Sequence, residues 1–523
     1  MLHVWSGARG DGSGSDWHNA CRTWNEMVSA YAARETKPSE IWFIDLGSPT
    51  LAPNTLTVTA DLAMRGGFDY LCDSVSDRAA GARSVLDARR LFALAKIANA
   101  SAAVMVERLE FARSTAEGLV KSGAGNLTVS DCVFIDNAIA NNNILYGRGL
   151  NVSGTASSTL IAVTNCLFAY NGHFLSSGSG SQYYLGYGGA AAFRNVKRVL
   201  IDSCAFLTNG VPLANSGQVH IGGDVSQGSA LYLGNAPATI RGSVFLSNHG
   251  TCRSNSAIGG GAIRFVGNCD GSAMTNCLVA GCSDRCGWDK QYGLHGGAIS
   301  VTMGSSAYTL DIVNTTVAYN LADGNSSPGG INVYTGTVSL RNSIVCNNFS
   351  SHRAVAENRF GSDVDVKATG RLYVEYTLFT SDTTNSLSAA DGAVVSLGPG
   401  LVFGDPLFVT SMSEVMAKVE SPYGSGYTNF KTGDDNRDYL ANLSLHLRGG
   451  RGYYDEKTGA LSTEFMSRDV VSPAVDAGDP NSSYADERDC PQGWHGRRVN
   501  MGYYGNTAWA TMTAFPGGAV YLR

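Results

Sequence analysis

The side chains able to do chemistry fall into three groups. The first lies in long segments that run from a recurring Asn to a recurring Gly pair. These segments hold Tyr146, Tyr183, Tyr184, Tyr187, Trp288 and Tyr292, with His173, His220, Asp224, His249, Asp284, Asp289, Lys290 and His295 among them. Aromatic faces stack on sugar rings and supply rigid contact area, so the six aromatics are glycan-binding candidates. The alternative is that they pack long loops onto the flank of the fold. β-Elimination at a uronic acid needs a base, commonly Arg, Lys or His, and a cation to neutralise the carboxylate. His220 with Asp224, and His295 with Asp289 and Lys290, are the candidates for such work. Hydrolysis would need two carboxyls at a defined separation.

The second group is Asp476, Asp479, Asp486 and Glu487 in a turn-rich tail. Oxygen ligands crowd a Gly/Pro turn there, as Ca²⁺ requires, but the spacing is not that of an EF-hand. The competing reading has these carboxylates bonding turn amides and Arg497 or Arg498 in a cap. Ca²⁺ is the one cofactor worth testing; otherwise none is expected. The third group is the cysteines, twelve in number. No CxxC-type spacing is present, so zinc is not indicated. Cys132, Cys166, Cys204 and Cys277 share a slot that Ser243, Thr315, Ser343 and Thr377 fill elsewhere, which predicts a column of buried, unpaired thiols. Cys252 and Cys286 each follow by four residues the end of a recurring phrase. Stacked one above the other, they would form a disulfide; Cys282 with Cys252 or Cys269 is the competing pairing.

The elements that must position these residues are repeats. The phrase Asn165-Cys166-Leu167-Phe168-Ala169-Tyr170-Asn171 returns as DCVFIDN (131–137), SCAFLTN (203–209), GSVFLSN (242–248), NCLVAGC (276–282), NTTVAYN (314–320), NSIVCNN (342–348) and YTLFTSD (376–382). Its central residue recurs at steps of 34, 38, 39, 34, 38, 28 and 34. A fixed motif with elastic spacing marks a stacked solenoid whose loops absorb insertions. From about residue 119 each repeat holds three strand-like pieces. The first follows a Gly pair or Gly-small pair, as in Gly188-Gly189-Ala190, Gly228-Ser229-Ala230 and Gly260-Gly261-Ala262-Ile263. The second alternates apolar and polar, as in Val199-Leu200-Ile201. The third is the phrase itself. Three short strands and three turns per repeat describe one rung of a right-handed parallel β-helix, at about 34–39 residues per coil. Phe134, Phe168, Phe206, Phe245, Val279, Val317, Val345 and Phe379 form its inward stack. The closing Asn is assigned left-handed turn geometry and an amide ladder along the coils. Post-Gly strands such as Leu231-Tyr232-Leu233 and Ile263-Arg264-Phe265 show no row of acids for a Ca²⁺ cluster.

The N-terminal part, 1–118, reads as a cap and opening coils. Asp16 or Ser15 is placed to cap a helix with Ala20, Trp24, Met27, Val28 and Tyr31 on one face. Strands are expected at Glu40–Asp45, Leu56–Thr59, Leu62–Arg65, Ser84–Asp87, Leu91–Ile97 and Val104–Phe111. Repeats occupy 119–395, and 396–523 forms an irregular C-terminal capping module; the repeat is lost from about 383. With 16% charged residues, a net charge of −6 and no basic stripe, nucleic acid is a poor partner. No apolar run is long enough for a membrane span, and no signal peptide is present at the start.

The Gly-Gly-Ala-Ile and Phe-x-x-Asn alternation resembles the repeats of chlamydial polymorphic outer-membrane proteins and of bacterial right-handed parallel β-helix proteins. The tail, SPAVDAGDP followed by GRRVNMGYYGNT, resembles the C-terminal signature of secreted β-helix proteins of the choice-of-anchor class, and IWFIDLGS with AMRGGF looks like their beginning. The chain departs from an anchored member in ending about 16 residues after Thr507. The resemblance implies a pectate-lyase-like fold at the bacterial cell surface or outside the cell. It implies no settled chemistry, since that fold hosts lyases, glycan hydrolases and adhesins. In such enzymes the substrate lies along the first sheet and the loops entering it. A secreted or surface protein that binds a polysaccharide, glycoconjugate or host surface is therefore expected. A lyase or glycoside hydrolase on the same edge is the second reading, and a purely structural surface protein the third.

Overall fold

The structure is a computed structural model. It describes residues 1–46, 54–89, 94–98, 101–137, 146–172, 187–210, 228–252, 260–286, 297–323, 328–350, 363–382, 386–411, 414, 443–449, 451–456, 458–464, 466, 470–487 and 498–512. Among these the chain is a parallel β-helix. Each coil contributes one strand to each of three faces, and each strand pairs in parallel with its counterparts one coil above and below. One coil runs through Leu150–Ser153, Leu160–Thr164 and Leu167–Ala169, the next through Ala191–Arg194, Arg198–Asp202 and Ala205–Leu207. Their registers are Leu150↔Ala191, Ile161↔Val199 and Phe168↔Phe206. We call these the first, second and third sheets. A fourth, short sheet follows the third in four coils, at His249–Cys252, Ser283–Cys286, Leu321–Asp323 and Phe349–Ser350.

The inward stack is as expected: all eight predicted residues are fully buried. Phe134, Phe168, Phe206 and Phe245 lie nearly parallel, with centroids 4.6–4.7 Å apart. The stack also runs further than the motif, to Phe111 below and to Phe403 beyond Phe379. The step from Phe111 to Phe134 is 23 residues. A bare coil is thus near that length, and the 34–39 of the repeat includes its inserted loops. The expectation that the repeat ends near 383 is likewise corrected. Leu387–Ala389, Val394–Leu397 and Val402–Phe403 form one more coil on the three faces, built from a short segment that carries neither the Cys nor the Asn of the phrase.

The phrase works differently from its first reading in one respect. The left-handed residue is not the ladder Asn but the one before it: Asp136, Tyr170, Thr208, Ser247, Tyr319 and Asn347, with φ between 53° and 57°. The first residue of the phrase is left-handed as well, at Asp131, Asn165, Ser203, Asn276, Asn314 and Asn342. The third-sheet strands of the phrases from 131 to 348 are therefore bracketed by two left-handed corners. The second corner turns the following Asn inward, where it serves the ladder. Asn137 donates to Asn171 (2.9 Å), Asn171 to Asn209 (3.0 Å) and Asn209 to Asn248 (3.0 Å). Asn320 donates to Asn348, and Asn348 ends the column on Asp363 (2.9 Å each). Each amide also donates to a phenylalanine or valine carbonyl of the coil below, as Asn209 does to Phe168 at 2.9 Å. Buried polar groups must find partners, and here every rung does. Cys282 takes one rung as a thiol.

The N-terminal helix, α1 (Trp24–Ala33), is capped by Thr23, whose hydroxyl accepts from the Glu26 amide. Neither Ser15 nor Asp16 caps it. Asp16 instead closes a local turn on the Asn19 amide, so the helix starts later than expected and Ala20 precedes it. Trp24, Met27, Val28 and Tyr31 are its buried face, packed into the same core as the first coils.

The C-terminal module lies along the flank of the third sheet. Phe408, Leu443, Leu445, Leu447, Ala474 and Met501 bury the outward side of strands from Leu246 to Leu378. Its tail signature docks on three phrase-opening asparagines. Asn276 donates to the Tyr503 and Gly505 carbonyls, Asn314 to Gly505 and Asn342 to the Ser482 hydroxyl.

Candidate functional site

The turn that leads into the first sheet brings the candidate residues together. Gly147 and Gly188 open it in adjacent coils with φ of 52° and 70°. A Cβ on Gly147 would meet the Leu150 carbonyl oxygen at 2.1 Å, so only glycine fits. The slot after it holds Glu117, Arg148, Gly189, Ser229, Gly261 and Gly297 in successive coils, two residues before the paired strand starts. Arg148 and Glu117 thus stand where the later coils have glycine or serine.

Tyr146 and Tyr187 pair across this edge and stack at 4.8 Å. Tyr232, from the outward row of the first sheet, closes the group at 5.9 and 5.0 Å from them. The Arg194 guanidinium lies 3.5 Å from the Tyr146 centroid, a cation–π contact. Arg194 donates to the Asn151 side-chain oxygen (3.2 Å), and the Asn151 amide donates to Glu117 (3.3 Å). Tyr146, Tyr187 and Arg194 are partly exposed, whereas Glu117, Arg148, Asn151, Tyr232 and Arg264 are buried. Burial pushes the Tyr232 phenol up to about 12, with Tyr146 adding to it. Burial also lowers the Arg148 guanidinium to about 10, against the pull of Glu117. Among the described residues the cluster is an aromatic-lined patch over five coils, with arginine and phenol donors and one carboxylate.

Of the expected glycan-binding residues, Tyr146 and Tyr187 are brought together, while Tyr183, Tyr184, Trp288 and Tyr292 lie outside the described residues. So do His173, His220, Asp224, Asp289, Lys290 and His295. His249 is buried in the fourth sheet, bonded to Ser247 (3.0 Å) and Ser283 (2.8 Å), and Asp284 is buried in the next strand of that sheet. Glu117, Arg148, Arg194 and Tyr232 were missed. The signal was in the repeat itself, in a charged residue at a small-residue slot of Gly147-Arg148-Gly149.

Two of the four tail carboxylates, Asp479 and Glu487, accept from nearby amides. Asp479 accepts from the Asn481 amide and faces Arg341 at 3.8 Å. Glu487 accepts from the Asn500 and Asn506 amides (2.8 and 2.9 Å), and burial lifts its carboxyl to about 7. Arg498 donates to the Gly478 and Ala477 carbonyls; Arg497 lies outside the described residues. Among the described residues no three His, Cys, Asp or Glu side chains come together as metal ligands.

Cys252 and Cys286 are register partners on adjacent strands of the fourth sheet, as the stacking argument expected of their backbone; their side chains lie outside the described residues. Cys282 and Cys269, the competing partners, are buried free thiols. Compared with protein-family models, characterised proteins and solved structures, the chain finds no match.

Proposed function

We propose that this is a secreted or surface-displayed bacterial β-helix protein, of the choice-of-anchor or polymorphic outer-membrane repeat type. It binds glycans or host-surface glycoconjugates at the turn edge of the first sheet. The observation that carries this reading is the cluster of Tyr146, Tyr187, Tyr232, Arg194 and Arg148 on one rigid edge. Rigid aromatics beside fixed hydrogen-bond donors are what a sugar site needs. The Tyr146 ring is already contacted by Tyr187 and Arg194, so its contribution is its edge and hydroxyl. Sugar recognition here then rests on polar contacts more than on open ring faces. The described residues contain no helix long and apolar enough to cross a membrane.

A polysaccharide array separates the readings. Binding without product supports the adhesin-like role. New reducing ends or unsaturated-uronate absorbance would make the protein a hydrolase or lyase on the same edge. Absence of binding by folded wild-type protein, or binding unchanged in Tyr187→Ala/Arg194→Ala, would overturn the placement of the site.

A further inference from the structure

Arg148 is 2% exposed, and among the described residues neither of its terminal nitrogens has a hydrogen-bond partner. A buried guanidinium is ordinarily paired. The nearest acid, Glu117, occupies the same slot one coil earlier. Its carboxylate is engaged by Asn151, which is held in turn by Arg194, and it makes no ion pair with Arg148. The later coils place glycine or serine in this slot, so the fold does not require a long side chain there. Arg264 stands on the outward row beside Tyr232 and Arg194 over Tyr146. Among the described residues Arg148 and Arg194 thus stand by the one carboxylate of Glu117.

We propose that Arg148 is the receptor for an oxyanion on an acidic glycan, a sugar carboxylate or sulfate ester held by the two free N–H edges of its guanidinium. This deepens the glycan reading above and rests on it. A planar fork of donors matches a carboxylate or sulfate bidentately, which a lysine does not. The partly exposed Tyr146, Tyr187 and Arg194 stand on the same edge, in its own coil and the next.

The test compares wild type, Arg148→Met and Arg148→Lys by calorimetry against three probes. These are an oligouronate, the same oligosaccharide with its carboxylates reduced to alcohols, and a sulfated oligosaccharide. Wild type is expected to prefer at least one acidic probe over the neutral one by on the order of tenfold to a hundredfold, the range of a charge-assisted bond. Arg148→Met should erase that preference, and Arg148→Lys should retain only part of it. Preference for the uronate or for the sulfate tells which oxyanion is taken. Because Arg148 is unpaired, Arg148→Met should also melt at a higher temperature than wild type. A lower melting temperature would mean that the guanidinium serves the fold, and would overturn the inference. Equal affinity of wild type for acidic and neutral probes would overturn it too, while leaving glycan binding standing. If no probe binds, glycan binding falls, and the anion site is judged by melting in sodium sulfate against sodium chloride at matched ionic strength. A larger sulfate shift in wild type than in Arg148→Met supports the site; equal shifts refute it.

Discussion

The buried thiols make the fold labile to alkali. Cys21, Cys166, Cys204, Cys269, Cys277, Cys282 and Cys346 are all buried and free, and each is pushed above the ordinary value of 9.0. For most of them burial is the main cause, which lifts Cys21 and Cys269 to about 11 and Cys277 and Cys282 to about 12. Cys346 rises for the same reason, Cys166 chiefly through its hydrogen bond with Cys132 and then burial, and Cys204 chiefly through its hydrogen bond with Cys166. A group whose acid form is favoured by folding contributes nothing below its unfolded pKa and destabilises above it, so the loss begins near pH 9. At pH 10 each such thiol costs between about 1 and 2 kcal/mol. Seven together cost about 10 kcal/mol, comparable with the whole stability of an ordinary domain. Lys121 opposes this. It fills an inward position between Ile97 and Val152 and donates to the Gly123 and Gly125 carbonyls, and burial lowers it to about 8. It therefore returns about 3 kcal/mol as pH rises from 8 to 10.5. The assay is urea unfolding with reductant at pH 8 and pH 10. Wild type should lose most of its midpoint. The triple variant Cys166→Ser/Cys204→Ser/Cys277→Ser should recover about 4 kcal/mol at pH 10, because Ser243 and Ser343 already fill that slot and bond the Arg241 and Arg341 carbonyls at 2.9 Å. Equal wild-type midpoints at the two pH values, or an equally steep fall in the triple variant, would refute the reasoning.

Phe168→Ala should cost about 3–5 kcal/mol, since its ring is fully buried between Phe134 and Phe206; denaturant unfolding checks it. Asn209→Ala removes the acceptor for the Asn171 backbone and side-chain amides and the donor to the Phe168 carbonyl and Asn248. A loss of at least about 3 kcal/mol is expected, and a change below about 1 kcal/mol would mean that water replaces the ladder. Cys252 and Cys286 are expected to cross-link under oxidising conditions. Adjacent strands lie about 4.8 Å apart, within the range for disulfide Cα atoms, and closing the loop stabilises by about 3–4 kcal/mol. Non-reducing peptide mapping that finds both thiols free would refute the pairing.

The core was legible because its pattern obeys register. Once the Phe or Val positions repeat, parallel pairing at about 4.8 Å puts them in one column, and the thiols and asparagines follow at fixed offsets. The helix start was misread because Asp16 and Thr23 are both good capping types, and only packing chooses where the helix can lie. The extra coil at 387–403 escaped because its strands carry the shape of a rung without the phrase. The site was half legible. Tyr146 and Tyr187 announced themselves as aromatics before a Gly turn. Arg148 was hidden because one residue between two glycines reads as loop until its slot is aligned with Gly189 and Ser229.

The phrase has two separable outputs, and this explains why its first residue varies more than its last. The closing Asn points inward and must hydrogen-bond across coils, so only Cys282 and the final Asp382 position depart from it in the eight copies. The opening residue turns the corner between the second and third sheets, where Asp131, Asn165, Ser203 and Gly242 all satisfy the left-handed backbone. From Asn276 onward the same corner takes a second task. Asn276, Asn314 and Asn342 hold the tail through their side-chain amides, and three consecutive asparagines appear where serine and glycine served before. Asp479 and Gly502 return the contact by donating from their backbone amides to Asn342. The tail signature is thus the partner of a corner row, and its conformation depends on coils some 140 to 230 residues earlier in the chain. The first-sheet edge bearing Arg148 lies on a different face from that docking row, so covering the third sheet leaves the candidate site uninvolved.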